Sequence, residues 1–452
     1  MPSFSRSLLA RSLGLSSLCV SALLPVMSFA AQATPPNIIM VVGDGMGPVH
    51  TSAFRYFHDD PATPQVESTV FDRHFVGRSS TYPALSQGLV TDSAASGTAL
   101  ASGHKTYNGA IGLDNDQQPV ESVLEYAKAV GKSTGLVVTS QINHATPASY
   151  VAHVPQRRMY NEIADSYFDA KIDDQFKVNV MLGGGWQYFI RDDRNLVEEF
   201  QQAGYQYIDS YAQLATIDNH NVLGLFADRG LPAALDEANP DRLKDMVQAA
   251  VSRLETNDKG FFLLVEGSQI DWASHANDVA STMAEMDDLH RALLWLETYV
   301  SQHPNTLVVV TADHNTGGMT MGERAGGYRW EPAYLRQLSA SPRTIAVTHA
   351  EQTWEPASLN QQLGFTLTKE EMAVLQPAHK EGAKAFYQAI KQVVDQRTNT
   401  GWTTGGHTGV DVPVFAFGQG KEQFIGQMDN TDIAKKLFAM LGRAPENESN
   451  KP

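Results

Sequence analysis

Carboxylates and imidazoles recur where short apolar runs break into loops. Asp44 follows the run Asn37-Ile38-Ile39-Met40-Val41-Val42, and Glu266, Asp271 and His275 follow Gly260 to Val265. Asp313 and His314 follow Thr306 to Val310, and His407 lies within Thr404-Gly405-Gly406-His407-Thr408-Gly409. Singly, each has an ordinary structural explanation: a turn aspartate between glycines, a helix-face pair four residues apart, a cap, a loop histidine. Together they place Asp, Glu and His at the ends of successive strand patterns, where they converge on one cleft. Mixed carboxylate and imidazole donors suit zinc, and all-oxygen sets suit magnesium, so the pattern predicts a polynuclear metal centre.

A second stretch adds a hydroxyl. In Thr91-Asp92-Ser93-Ala94-Ala95-Ser96-Gly97-Thr98-Ala99 a polar turn becomes a small-residue helix. Asp92 or Thr91 can cap it, and the first turn leaves backbone N–H groups free to meet an anion. Ser93 sits in that positive field. A capped helix and a nucleophile explain these nine residues equally well.

The elements that must position these groups alternate. Apolar runs at Asn37–Val42, Thr134–Thr139, Val178–Leu182, Asn221–Phe226, Gly260–Val265 and Thr306–Val310 read as strands. Helical patterns at Pro119–Val130, Asn195–Gln202, Asp241–Leu254 and Asn277–Val300 separate them. Such β–α alternation predicts an α/β three-layer sandwich, a central, mainly parallel sheet covered by helices on both faces, with its site at the carboxyl ends of the strands. The rhythm fails after Gly318, where Gly326-Gly327, Trp330, Pro332 and Pro342 mark loops and Ala378–Arg397 reads as an isolated helix. Residues 34–318 and 403–445 are thus expected to form the core, 319–402 an insertion near its C-terminal end, and 446–452 a polar tail.

Arg6, Arg11, the apolar run Leu13–Leu24 and the small residues Ala31-Gln32-Ala33 predict a signal peptide over 1–33, and hence periplasmic or secreted placement without a membrane anchor after cleavage. Cys19 is the single cysteine, so no disulfide scaffold is expected in the mature chain. The net charge is −16, and no basic footprint for nucleic acid is visible.

The ordered motifs resemble the alkaline phosphatase family. The match runs through Gly43-Asp44-Gly45-Met46-Gly47, Asp92 to Ala99, His144-Ala145-Thr146-Pro147-Ala148, Glu266 to His275, Thr311-Ala312-Asp313-His314 and Gly405 to Gly409. The resemblance implies two zinc ions and one magnesium per subunit. Asp271, His275 and His407 would bind one zinc; Asp44, Asp313 and His314 would bind the other, which meets Ser93. Thr146 and Glu266 would hold the magnesium, with Asp44 bridging to it. Arg157, thirteen residues after His144, matches the arginine that clamps phosphate, with Arg158 adjacent. The chain departs from the enterobacterial pattern at His144 and Trp272, where that pattern has Asp and Lys; His144 is expected to act through water and Trp272 to pack beside the phosphate.

The implied activity is hydrolysis of phosphate monoesters of broad kind through a phosphoserine at Ser93, releasing inorganic phosphate. Dimers are common in the family, which leaves a homodimer among the open assemblies without fixing the oligomeric state. Thr146 and Glu266 argue against a diesterase, and Ala94-Ala95-Ser96-Gly97 lacks the following Pro and Arg that a sulfatase needs. A phosphate or zinc scavenger would have no use for a nucleophilic serine aimed at a metal.

Overall fold

The computed structural model describes residues 36–322 and 327–444. The expected leader and polar tail lie outside the described residues.

Ten strands form one sheet: β1 Asn37–Gly43, β2 Phe75–Ser80, β3 Ser133–Gln141, β4 Val180–Gly184, β5 Gln206–Ile208, β6 Val222–Leu225, β7 Phe261–Gly267, β8 Thr306–Thr311, β9 Val412–Gly418 and β10 Gly426–Asp429. Their order across the sheet is β10-β2-β9-β8-β1-β7-β3-β4-β6-β5. Every neighbouring pair is parallel except the two that β9 makes, with β8 and β2. β9 therefore runs against the other nine, and its N-terminal end lies at their carboxyl edge. That reversal is what carries His407, five residues upstream of β9, to the same edge as Asp44 and Asp313.

β1 is buried along nearly its whole length, as a continuous apolar run requires in a sheet covered on both faces. Its pleat divides the molecule. Ile39 and Val41 join one core with Met246, Val247, Leu289 and Leu293, whereas Ile38, Met40 and Val42 join the other with Leu100, Leu124 and Ile433.

The helices used below are α1 Pro48–His58, α2 Ser93–Ser102, α3 Val123–Ala129, α4 Arg242–Leu254, α5 Gln269–His275, α6 Val279–Gln302, α7 Pro342–Ala350, α8 Pro356–Leu363, α9 Lys369–Lys380, α10 Ala383–Thr398 and α11 Asn430–Met440. The helix expected from Pro119 begins only at Val123. Ser122 and Glu125 cap each other's backbone N–H groups there, leaving Pro119 outside. Arg242 on α4 is fully buried and reaches Asp288 at 2.8 Å and Glu285 at 3.1 Å on α6. Removing one partner of such a buried pair costs about 3–5 kcal/mol, because the other charge stays desolvated.

Residues 319–402 hold more helix than their prolines and glycines suggest. Pro342 and Pro356 stand in the first turns of α7 and α8, where the missing N–H is no loss. The single helix expected over Ala378–Arg397 is two, α9 and α10, divided at Gly382, whose φ of 101° no ordinary side chain adopts readily. The ends of the segment are stitched together, since Thr320-Met321 pairs antiparallel with Thr400-Gly401. The segment also holds on to its surroundings: Arg336 donates to the carbonyls of Tyr56 and Phe57 on α1, and Tyr387 donates to Asp278 at 3.0 Å.

Candidate active site

The hydroxyl is placed by a cap. Asp92 accepts from the backbone N–H of Ala95 at 3.0 Å and of Gly109 at 3.1 Å, which fixes the start of α2. Ser93 is the first helical residue, 1% exposed, with Oγ 3.1 Å from His314 Nε2. Ser96, one turn on, donates to the Asp313 carbonyl at 2.6 Å and accepts from Asn430 Nδ2 at 3.0 Å, which ties α2 to the end of β8 and to α11.

Two strand ends, those of β1 and β8, supply an inner cluster of Asp44, Asp313 and His314. Gly45 adopts φ +73° and aims its N–H at Asp313 Oδ1, 3.0 Å away; the His314 N–H donates to the same oxygen at 2.9 Å. A Cβ on Gly45 would come within 2.9 Å of the Asp271 backbone, so this turn needs glycine. Asp313 Oδ2 and Asp44 Oδ1 are left facing His314 Nε2, at 3.0 and 3.5 Å.

Asp44 also belongs to a second buried group with Glu266 and His144. Glu266 Oε2 accepts from Ser268 at 2.5 Å and Ser140 at 3.4 Å. Its Oε1, both Asp44 carboxylate oxygens, Thr146 Oγ1 and His144 Nδ1 are buried without a hydrogen-bond partner. Buried carboxylate oxygens that no donor satisfies are costly unless a cation fills the gap. His144 Nε2 lies 3.3 Å from Arg157, and the His144 ring meets the edge of Trp272 at 5.7 Å. Trp272 in turn leans on Gly230, where a Cβ would be 2.4 Å from the indole.

Asp271, His275 and His407 form the outer cluster. The Thr91 carbonyl holds His407 Nδ1 at 2.8 Å, and the Gly405 carbonyl holds His275 Nδ1 at 2.7 Å. Both rings thereby turn Nε2 inward, 3.1 Å from each other and 3.3 and 3.7 Å from Asp271 Oδ1. Backbone carbonyls on the far nitrogen are the usual means of fixing a ligating tautomer.

The electrostatics agree with a cation-shaped gap. Burial, then Asp313, Asp271 and Glu266, pushes the Asp44 carboxyl well above its usual range, and burial lifts Glu266 to about 7. Burial and the neighbouring His314 press His407 down to about 4, and burial with Arg157 holds His144 at about 3. Burial would depress His314, but the Asp313 carboxylate overcomes it and raises the imidazole above its ordinary range.

All twelve site residues singled out from the sequence, His144 and Trp272 included, lie at this one edge. Arg157 rather than exposed Arg158 reaches it, donating to Asp92 at 3.1 Å. Thr316 escaped the sequence reading: it donates to Asp271 at 2.5 Å and touches His314 Nδ1 at 3.2 Å, linking the two clusters. Its position two residues after His314 was the available signal. A cavity of about 980 Å³ opens beside His275, walled by Lys391, Asp395 and Trp402 of the 319–402 segment.

The family model for alkaline phosphatase matches residues 36–443. Alkaline phosphatase 3 of Bacillus subtilis is 45% identical over 410 residues, 90% of this chain and 88% of that protein. The crystal structure of a cold-active alkaline phosphatase from the psychrophile Shewanella sp. superposes with a TM-score of 0.86 at 47% identity, covering 90% of this chain and all of that one. The enzyme of the Antarctic bacterium TAB5 is 26% identical with a TM-score of 0.68, covering 91% and 99%; two of its variants, with a histidine replaced by Glu or Asp, hold magnesium in the M3 site. With its sheet, its strand-end clusters and nearly its full described length matched in this way, the chain belongs to the alkaline phosphatase family of metal-dependent phosphomonoester hydrolases.

Proposed function

We propose that this enzyme is exported and hydrolyses a broad range of phosphate monoesters through a phosphoserine on Ser93, with two zinc ions and one magnesium ion per chain. The observation that carries the reading is the buried Ser93 hydroxyl, at a helix N-terminus and 3.1 Å from His314, beside carboxylate oxygens that have no hydrogen-bond partner. The donor sets fit the ions. Asp271, His275 and His407 would hold one zinc, Asp44, Asp313 and His314 the other, and Asp44, Thr146 and Glu266 the magnesium. Bound there, the ions would supply Lewis acidity for a serine alkoxide, a departing alkoxide oxygen and an acidified water.

The chain's own groups do the rest. Ser93 Oγ forms the bond to phosphorus as the ester oxygen departs on the opposite side, and water later reverses the attack to free phosphate and serine. The first-turn N–H groups of α2 face the phosphate oxygens. Arg157 offers a planar fork to two nonbridging oxygens, and Asp92 steers that fork from behind. The cavity beside His275 leaves room for unlike alcohol portions, which supports breadth. The 319–402 segment serves as a lid-like wall, and the 1–33 leader supports export; a homodimer fits the family.

His144 has a second reading. Its unpartnered Nδ1 and its grouping with Asp44 and Glu266 favour direct ligation at the third site over action through water.

The test is an assay of zinc-loaded enzyme on a chromogenic monoester and the matching diester. The monoester should win by orders of magnitude, and acid quenching should trap phosphate on Ser93. Ser93→Ala should lose the trapped phosphate and keep its metal. Equal rates on the two esters, or a Ser93→Ala protein that turns over normally, would sink the reading.

A further inference from the structure

α1 begins beside the Asp44 turn and ends, about 15 Å further on, at His58. There the His58 ring meets α6. Its centroid is 4.6 Å from that of His290, and its Nδ1 is 3.9 Å from Asp287 Oδ1. Asp287 and His290 are three apart on α6 and so share a face. One donor atom from each of the three residues falls within 4.8 Å of the others.

His290 is the informative member. It is 2% exposed, and its Nδ1 is buried without a hydrogen-bond partner. Phe54 and Phe71 pack around the ring at 5.0 and 6.2 Å, a setting that a phenylalanine would fill with no polar group to satisfy. A dry imidazole nitrogen beside a second imidazole and a carboxylate calls for a cation instead.

We propose that His58, Asp287 and His290 bind a divalent ion of the zinc class that fastens the C-terminal end of α1 to α6, apart from the catalytic clusters. Two imidazole nitrogens and one carboxylate oxygen are zinc donors, and His58, with 43% of its side chain exposed, leaves a solvent-facing position for water as the fourth. The carbonyl end of α1 adds negative potential. Arg291 holds the other Asp287 oxygen at 2.8 Å and so orients the carboxylate while tempering its charge. Val70 N–H approaches His290 Nε2 at 3.5 Å, the outer limit of a hydrogen bond; ligation through Nδ1 puts the ring proton on Nε2 and gives up that contact.

Metal content separates this site from the catalytic one. Enzyme dialysed against zinc and freed of loose metal should carry one zinc more per chain than His58→Ala or Asp287→Asn treated alike, by mass spectrometry of the digested protein. Monoester turnover should be the same in all three, and crystals should show anomalous zinc density between α1 and α6. Equal zinc counts in the three proteins would overturn the proposal, as would a His58→Ala enzyme that loses zinc and activity in proportion, because the missing ion would then be catalytic.

Discussion

The inner and outer clusters use the same donor types in opposite settings. Asp44, Asp313 and His314 are fully buried, hang directly from the ends of β1 and β8, and have Asp313 gripped by two backbone N–H groups. Asp271 and His275 sit on α5, and His407 on a two-residue strand, His407–Thr408, that pairs with Asn315–Thr316 ahead of β9; their side chains are 5%, 39% and 13% exposed. The difference teaches where each cluster stores its order. The inner one is built by the sheet and pre-shapes its site, whereas the outer one depends on two carbonyl-to-imidazole contacts and opens toward the large cavity. An ion in the inner cluster should exchange slowly, and one in the outer cluster quickly.

The comparison breaks most visibly at Asp313. Asp313→Ala removes the acceptor of both backbone donors and leaves His314 buried without its counter-charge. Turnover should fall by about 10³-fold or more, a barrier increase of about 4 kcal/mol, and the zinc proposed beside Ser93 should be lost even at millimolar zinc. Retention of both zinc ions and of turnover would show that the inner cluster is not a ligand set. His407→Ala should do less: about 10²-fold at limiting zinc, with substantial recovery when zinc is raised, since Asp271 and His275 remain. Failure of zinc to restore any rate would erase the proposed distinction between the clusters.

The two clusters also differ in how well the sequence announces them. Asp44, Asp313 and Glu266 are legible because each closes a continuous apolar strand, a pattern that needs no tertiary knowledge. His407 is harder, because its approach depends on β9 running against its neighbours, which no local pattern in Val412–Phe417 reveals. β2 and β10 go unseen for a related reason: Phe75–Ser80 and Gly426–Asp429 carry Arg, Ser, Gln and Asp, and lie at the polar edge of the sheet. The prolines after Gly318 read as loops because a proline that starts a helix and one that forbids it look alike without the following turn. Thr316 was invisible as a site residue because a single hydroxyl next to a histidine has no distinctive spacing.

Thr316 is the next test, since it bridges the two settings. Thr316→Val keeps the shape and deletes the donor to Asp271, so the outer carboxylate loses its fixed orientation. The expected cost is about tenfold in zinc affinity of the outer cluster and a similar loss of turnover at limiting zinc, with the inner zinc unaffected. Equal weakening of both zinc ions in a competitive chelator titration would instead make Thr316 a shared support.

The smallest effect is a pH dependence of stability, and its sign can be worked out. His407 and His144, pressed down to about 4 and about 3, are neutral in the fold, so stability rises as the unfolded histidines lose their protons around pH 6.5; this holds with and without metal and cancels in a comparison of the two forms. Glu266, lifted by burial to about 7, and Asp44, lifted by burial and Asp313, keep protons in the metal-free fold that the unfolded chain releases near pH 4. His314, raised by Asp313 against its burial, acts in the same direction. The folded state then holds more protons, and metal-free stability drains away as pH rises from 6.5 to 8. Bound metal displaces those protons, so the loaded enzyme lacks this slope. Glu285 and Asp395, also lifted to about 7 by burial, titrate in both forms and cancel. The gap in Tm between loaded and metal-free protein should therefore widen between pH 6.5 and 8, by about 1 °C from Glu266 alone. Asp44→Asn should shrink that widening to the share of Glu266 and His314, and His275→Ala should leave it intact; the reverse result would move the stored charge from the inner cluster to the outer.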